Sequence, residues 1–310
     1  MNRLYFFVSG YRANQQGVAL IQALLISVII SLLAIRFTYT SQYQIDTSAS
    51  MNHRLNAKLM LQSAQNGLIY ALATNEVPST NIFNRFNRQA LNGWGEPFVI
   101  HQLDGYTVTG VIQNSTGLLS QRYVKTAPWR TVLRTLGMND SEIDQVTGSI
   151  DDWQDKDSNG WRLGQTEPST LPSGMPYKNQ PIQLFQEFSF IFPQGRIDSI
   201  LLNNITTTFA TPGVNVMVAP NRLLRLLLMP SIAEDFILRR ELGQLTQDDA
   251  LLLLGSQYNE FDYIFNTGNK YRIIVRVEKG DIVMEETMEL ELDPLQQKPV
   301  LVYSKRANFY

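Results

Sequence analysis

The residues with the clearest capacity for chemistry in this sequence are acidic side chains in one short loop. The run from Asp155 to Gly160 reads D-x-D-x-N-G, which is the opening of a calcium-binding loop. In such a loop, side-chain oxygens converge on a hard cation and glycine permits a sharp turn. The glutamate expected at loop position 12 is Thr166 here, and Glu167 follows one residue later. The calcium pattern is therefore half met, and a solvated acidic turn is the alternative interpretation.

Other chemistry has little support in the sequence. The absence of cysteine excludes disulfides, thiolate catalysis and cysteine-ligated zinc. The two histidines, His53 and His101, fall in separate predicted elements, so a multi-histidine metal site is not expected. No G-x-S-x-G, glycine-rich phosphate loop or H-E-x-x-H motif is present. We therefore expect a protein that is not an enzyme.

An apolar stretch near the amino end predicts a membrane helix. Between Gly17 and Arg36 no residue is charged and none is proline, and a helix of that length rises about 27 Å, close to the roughly 30 Å of a hydrocarbon core. The preceding residues contain Arg3 and Arg12 and no acid. This bias places the amino end in the cytoplasm and the rest of the chain across the membrane.

The position of the cleavage signal distinguishes two kinds of leader. An ordinary secretory peptide is cleaved after its apolar stretch, but the nearest small-x-small triplet, at residues 48–50, lies too far downstream. Cleavage between Gly17 and Val18 would keep the helix in the mature protein, which is the layout of type IV pilin-like precursors. An uncleaved signal anchor is the alternative.

Hydrophobic periodicity extends this helix and then gives way to a sheet. Apolar residues between Ala57 and Leu72 recur at spacings of three and four, which predicts one apolar stripe, and Asn75 begins a stop signal. Asp104-Gly105 separates two β-rich runs and predicts a hairpin, and a similar pair of runs surrounds residues 279–281.

Between the two hairpins the pattern is mostly helical, and it predicts short helices at residues 131–137, 141–153, 182–191, 220–228, 232–242 and 247–255. We predict an α+β fold in which a long N-terminal helix, membrane-spanning in its first half, packs on a small antiparallel sheet with a large helical domain inserted between strands. The predicted segments are a leader (1–17), a transmembrane half-helix (18–36), an amphipathic half-helix (37–74), the first part of the αβ domain (75–118), the insertion (119–265) and the second part of the sheet (266–310).

These features together resemble the minor pseudopilin K family of the bacterial type II secretion system. The resemblance covers nearly the whole chain. It is carried by Gly17 to Ile21, Gly67 to Leu72, the D-W-x-D-x-D run from Asp152 to Asp157, Pro176 to Pro181, Glu187, and Val214 to Val216.

Membership of that family implies processing and a metal. Prepilin peptidase would remove the leader after Gly17 and methylate the new amino terminus at Val18. The family's insertion binds calcium, and matching its motif marks Asp152, Asp155, Asp157 and Glu167 as candidate ligands. Asn159-Gly160 and the spacing to Glu167 depart from the usual family loop.

Gln22 stands at the fifth mature position, where most pilins carry glutamate. A lone carboxylate in hydrocarbon costs several kcal/mol and needs a partner, such as a neighbour's terminal amine, whereas neutral glutamine does not. We interpret Gln22 as a residue that frees this subunit from pairing with one above it, so that it caps a filament. A merely tolerated polar residue is the alternative.

The resemblance implies a subunit of the pseudopilus tip complex, which initiates pseudopilus assembly for export of folded proteins across the outer membrane. Its partners would be other minor pseudopilins, the major pseudopilin, prepilin peptidase and inner-membrane lipid, with its C-terminal domain in the periplasm. Alternatives are a DNA-binding component of a type IV pilus or competence system and an uncleaved membrane-anchored adhesin. The net charge of −2 speaks against nucleic acid as a partner.

Overall fold

The computed structural model describes residues 16–74, 82–83, 90–157, 159–161, 166, 170–171, 174–192, 198–293 and 295–309. The chain divides into two compact units, Met1–Asn56 and Ala57–Tyr310, and each is described by itself. The helices are α1 (Gln16–Thr74), α2 (Ala127–Thr135), α3 (Asp140–Gln154), α4 (Phe188–Ile191), α5 (Ser199–Ile205), α6 (Asn221–Leu227), α7 (Pro230–Glu241) and α8 (Gln247–Leu254).

The strands of the described residues form one main sheet and three two-stranded pairs. They are β1 (Ile82–Phe83), β2 (Ala90–Leu91), β3 (Phe98–Leu103), β4 (Tyr106–Asn114), β5 (Leu119–Ser120), β6 (Thr206–Thr207), β7 (Val214–Asn215), β8 (Tyr263–Ile264), β9 (Lys270–Lys279), β10 (Ile282–Leu292) and β11 (Val300–Phe309). The main sheet has the order β11-β10-β9-β4-β3, and all its neighbours are antiparallel. The pairs are β1 with β2, β5 with β6, and β7 with β8.

Two tight turns set the register of the main sheet. Leu103 pairs with Tyr106 across Asp104 and Gly105, whose φ angles are 51° and 78°. Positive φ at both central residues suits the right-handed twist of a hairpin, and glycine adopts it without steric cost. The predicted hairpin is therefore confirmed, and a second two-residue turn joins β9 to β10.

One face of α1 packs on the sheet within the second unit. Ala57, Leu61, Ala64, Leu68 and Leu72 are all buried there, as their spacing of three and four requires for one helix face. They share a core with apolar residues that alternate along the strands, among them Val108, Ile112, Ile273, Val275, Val277, Met288 and Leu290. Helix α1 ends at Thr74, and the predicted stop signal at Asn75 lies outside the described residues.

The largely helical segment from α2 to α8 lies between β4 and β9 in the chain and has its own core. Trp129 is fully buried at this core, and its indole N–H donates to the Ser120 carbonyl at 2.8 Å. The chain is thus α+β, with a long N-terminal helix, an antiparallel sheet and a helical insertion between strands, which confirms the predicted fold class.

A buried ion pair joins this insertion to the sheet. Arg272 of β9 donates to Glu289 of β10 at 2.8 Å, and both side chains are only 9% exposed. The same guanidinium donates to the carbonyls of Asn203 at 2.7 Å and Thr206 at 3.2 Å. The Arg272 guanidinium therefore pairs with a buried carboxylate and donates to two backbone carbonyls at the end of α5.

The structure differs from the sequence prediction around residues 182–191. A helix was expected over this whole range, but it is limited to a 3₁₀ turn at Phe185–Glu187 followed by α4. Leu184 is extended, with φ −126° and ψ 137°, so the chain enters the helical turn only after it. Helix α5 was not predicted, because its short apolar run lacks a full helical repeat.

Candidate membrane helix and acidic loop

The first part of α1 exposes a continuous apolar surface. Large apolar side chains from Val18 to Ile35 are between about half and three-quarters exposed, including Leu20 at 72% and Ile21 at 66%. Among the described residues, α1 is the one helix long and apolar enough to cross a membrane, and its apolar window has no buried residue. This arrangement is compatible with a single-pass membrane anchor.

Hydroxyl groups on this part of α1 are satisfied by the helix itself. Ser31 donates to the Ser27 carbonyl at 2.8 Å, and Thr38 donates to the Ala34 carbonyl at 2.9 Å. A hydroxyl that finds an acceptor one turn back needs no water, so it is tolerated in hydrocarbon. The Ser31 and Thr38 hydroxyls are therefore compatible with a bilayer.

The predicted processing residues lie at the start of α1. Gly17 and Val18 are in its first turn, and Gln22 is exposed among apolar neighbours one turn later. Residues 1–15 of the predicted leader lie outside the described residues. The structure therefore presents Gln22 on the same exposed surface as the apolar side chains.

Helix α3 positions the acidic residues of the predicted calcium loop. It begins with a capping box, in which the Asn139 side chain accepts from the Glu142 N–H and the Glu142 carboxylate accepts from the Asn139 N–H. At its other end, Asp155 is the C-cap residue, and its N–H donates to the Asp151 carbonyl at 3.0 Å. The helix thus delivers Asp152 from its last turn and Asp155 from the first residue after it.

Asp152 is a buried carboxylate without ordinary hydrogen bonds. It is 1% exposed, and neither of its carboxylate oxygens accepts a hydrogen bond of normal geometry from the described residues. One carboxylate oxygen of Asp155 is likewise buried and unsatisfied. By contrast, Asp151 on the same turn is partly exposed and forms an ion pair with Lys125.

The electrostatics of this cluster disfavour negative charge. Burial raises the pKa of Asp152 above its ordinary 3.8; the nearby Trp161 backbone N–H opposes this, and the charges of Asp155 and Asp151 add to it. Burial and the charge of Asp157 raise the pKa of Asp155 as well. A cation among these oxygens would offset both the repulsion and the lost solvation.

The loop after α3 folds back on the helix. Trp161 lies so close to Gly148 of α3 that a Cβ at that glycine would collide with its ring. The Asp157 side chain accepts from the Asn159 N–H at 2.7 Å, and the Asp157 carbonyl accepts from the Asn179 amide at 3.2 Å. The acidic loop is therefore tied both to α3 and to the segment that contains Asn179.

Glu187 connects that segment to the end of α3. One of its oxygens accepts from Lys178 at 2.9 Å and from the backbone N–H groups of Gln183 and Leu184, each at 3.1 Å; the other accepts from the Trp153 indole at 3.0 Å. Burial alone would raise the pKa of Glu187, but these donors outweigh it and hold that pKa below its ordinary 4.5. Sequence reasoning noticed Glu187 only through the family resemblance.

The structure brings together only part of the predicted ligand set. Asp155 raises the pKa of Asp152, and Asp157 raises the pKa of Asp155. However, no group of three His, Cys, Asp or Glu side chains with metal-binding geometry occurs among the described residues. Glu167 lies outside the described residues. Asp152 and Asp155 are the members of the predicted set that have buried carboxylate oxygens without a hydrogen-bond partner of normal geometry among the described residues.

We predict that Glu187→Gln lowers the free energy of unfolding by about 2–4 kcal/mol at neutral pH, because it leaves the partly buried Lys178 without its counter-charge. A lowered native pKa contributes stability that is complete above pH 4.5 and is lost as pH falls through the native value. The free energy of unfolding of the variant should therefore fall less than that of the wild type as pH decreases through this range. Urea unfolding of the full chain in detergent micelles, repeated from neutral to acidic pH, measures both effects.

The matched control is Glu234→Gln, which removes an ion pair with Arg225 whose side chains are 51% and 60% exposed. Because solvent screens that pair, we expect little change in stability. Equal losses in the two variants, or no loss for Glu187→Gln, would contradict the role assigned to Glu187.

No protein-family model matches the chain. No curated protein matches it either. Among solved structures, it is similar to a chain of the GspK–GspI–GspJ complex from the type 2 secretion system of enterotoxigenic Escherichia coli, with a TM-score of 0.51 and 12% sequence identity. The match covers 86% of this chain and 99% of that one. At this identity the likeness is one of fold, and this chain has a GspK-like fold.

Proposed function

We propose that this chain is a minor pseudopilin of a type II secretion system, placed in the tip complex that initiates the pseudopilus. The observation that carries the proposal is a single helix, α1, with an exposed apolar first part and a last part built into the core of a sheet, within a GspK-like fold. Such a helix can lie in a membrane as an anchor and later pack against the helices of other subunits.

The proposed partners are other pseudopilins. The similar structure is a complex of GspK with GspI and GspJ, so we expect this chain to join two other minor pseudopilins and then the major pseudopilin. Apolar side chains gain little by leaving lipid for a protein surface. Association along α1 therefore depends on close packing between helices, and burial of apolar surface from water contributes where α1 leaves the bilayer.

Processing prepares the helix for assembly. Prepilin peptidase would remove residues 1–17 at the inner membrane and methylate Val18, with the C-terminal domain in the periplasm. Gln22 then lies near the start of the mature helix, where most pilins have a glutamate. A neutral side chain needs no partner amine in hydrocarbon, so a subunit with Gln22 can be the first of a filament.

We also propose that the acidic loop binds calcium. Asp152 and Asp155 would supply buried carboxylate oxygens that lack hydrogen-bond donors, and calcium prefers such hard oxygen ligands. Asp157 and Glu167 would complete the set proposed from the family motif. When bound, the ion would neutralise the repulsion among the aspartates and fix the loop against α3.

Deletion and complementation test the proposed function. Loss of the chain from its own organism should abolish secretion of folded proteins through the outer membrane, and the wild-type chain should restore it. Gly17→Val should not restore secretion, because a bulky residue before the cleaved bond blocks processing. Mass spectrometry should find Val18 as the mature amino terminus of the wild-type chain and Met1 in the variant.

The matched control for that experiment is Gly67→Val, in the same helix but with open space around its Cβ position; it should restore secretion. Normal secretion without the chain, or an intact Met1 in the functional wild-type protein, would overturn the proposal.

Calcium titration tests the proposed metal site. For the full chain in detergent, saturating calcium should stabilise the native state, by about 2.7 kcal/mol at a hundred times the dissociation constant. Asp152→Asn and Asp155→Ala should each abolish this gain. In chelator, Asp152→Asn should be no less stable than the wild type, because it removes a charge that burial disfavours.

The control is Asp144→Asn, which lies on the same helix and forms an exposed ion pair with Arg130; it should keep the full response to calcium. Absence of any calcium effect on the wild type, or an undiminished effect in both Asp152→Asn and Asp155→Ala, would exclude the site. Thermal unfolding followed by circular dichroism provides the measurement.

A further inference from the structure

An uncharged aromatic segment follows the apolar run of α1. After Arg36, the next charged residue is Asp46, and the intervening stretch contains Phe37, Tyr39 and Tyr43. These three aromatic side chains are 76%, 73% and 73% exposed. Such exposure of large rings on a helix in water would be unfavourable, which points to a surface that another phase or molecule covers.

The spacing of these residues along α1 matches the boundary of a bilayer. Arg36, Tyr39 and Tyr43 are separated by three and four positions, so they lie on one face of the helix. At 1.5 Å per residue, Tyr39 lies about 4.5 Å and Tyr43 about 10 Å beyond Arg36. The interfacial layer on each side of a hydrocarbon core is roughly 5–8 Å thick. If the apolar run fills the core, the backbone of Tyr39 lies within that layer and the backbone of Tyr43 lies just beyond its outer edge.

The chemistry of the segment suits that layer. Tyrosine has an apolar ring and a polar hydroxyl, and it is enriched where hydrocarbon meets water. A long arginine side chain can place its guanidinium among headgroup phosphates. The Thr40 hydroxyl donates to the Arg36 carbonyl at 2.9 Å and the Thr47 hydroxyl to the Tyr43 carbonyl at 2.7 Å, so these hydroxyls are satisfied whether water is present or not.

We infer that Arg36, Phe37, Tyr39 and Tyr43 form an interfacial belt that binds the phospholipid headgroup layer and fixes the depth of α1 in the bilayer. The bilayer is the chosen occupant because the belt is continuous with the exposed apolar run that ends at Ile35. The inference rests on the proposed membrane anchorage. The belt identifies the residues that determine how deeply α1 is inserted in the bilayer. The insertion depth in turn sets how much of α1 must leave the membrane when the subunit is extracted.

Site-directed spin labelling of the full chain tests the belt. Because the sequence has no cysteine, a single introduced cysteine is the only labelling site. Nitroxides at Ile29→Cys, Thr40→Cys and Leu55→Cys would be compared in vesicles of phosphatidylethanolamine and phosphatidylglycerol. Relative accessibility to oxygen and to a water-soluble nickel complex reports the depth of each label. We expect hydrocarbon depth at position 29, interfacial depth at 40 and full water exposure at 55.

A second experiment repeats the depth measurement on a variant without the aromatic residues of the belt. Replacing Phe37, Tyr39 and Tyr43 by alanine keeps helix propensity and should shift the label at position 40 by several ångströms, on the order of one helical turn. Tyr70→Ala, which removes an exposed tyrosine from the same helix outside the belt, should shift nothing.

The remaining outcomes distinguish failure of the membrane anchorage from failure of the belt. A label at position 29 exposed to water would refute the membrane anchorage itself. Hydrocarbon depth at 29 with a water-exposed label at 40, or with no shift on removing the belt, would keep the anchorage and overturn the belt. Exclusion of both quenchers from position 40 would show a protein partner in place of lipid and would also overturn it.

Discussion

The pairing of β4 with β9 is the constraint on which the rest of the second unit, Ala57–Tyr310, depends. The chain leaves the sheet at Asn114, and Tyr271 near the start of β9 is its partner in the antiparallel register. Because the ends of the insertion meet on adjacent strands, a large helical domain can be added without disturbing the register of either. Side chains reinforce this closure: Asn114 donates to the Gly268 carbonyl at 2.8 Å, and Gln113 donates to the Val218 carbonyl at 2.9 Å.

Helix α1 also has two different surroundings along its length. In its first part apolar side chains are exposed and hydroxyls turn back to the helix backbone; in its last part small and large apolar residues alternate to fit the sheet. The acidic residues near the end of α3 differ in their hydrogen bonds. Asp152 is buried and accepts no hydrogen bond of normal geometry from the described residues, whereas Glu187 accepts several. The pKa of Glu187 is therefore lowered by its donors, whereas burial raises the pKa of Asp152.

Local features of this fold could be predicted from the sequence, and long-range ones could not. Asp104-Gly105 specifies its turn through backbone conformations that few residue pairs adopt, and the stripe from Ala57 to Leu72 follows from helical periodicity alone. The parallel contacts of β5 with β6 and of β7 with β8 join residues far apart in sequence through two-residue strands that carry no periodic pattern. For the acidic loop, the sequence spacing of the aspartates identified them as candidate ligands. The burial of Asp152 and the hydrogen bonds from Lys178 and Trp153 to Glu187 depend on tertiary packing that no local motif encodes.

We propose that the chain assembles with minor pseudopilins through this fold, and co-purification tests this proposal most directly. The full chain would be expressed with the other minor pseudopilins of its own secretion system, extracted in mild detergent, purified through a tag on this chain alone and examined by size-exclusion chromatography with mass determination. The claim predicts one complex that contains the partners in fixed stoichiometry. Elution of this chain alone, while the other pseudopilins associate without it, would contradict it.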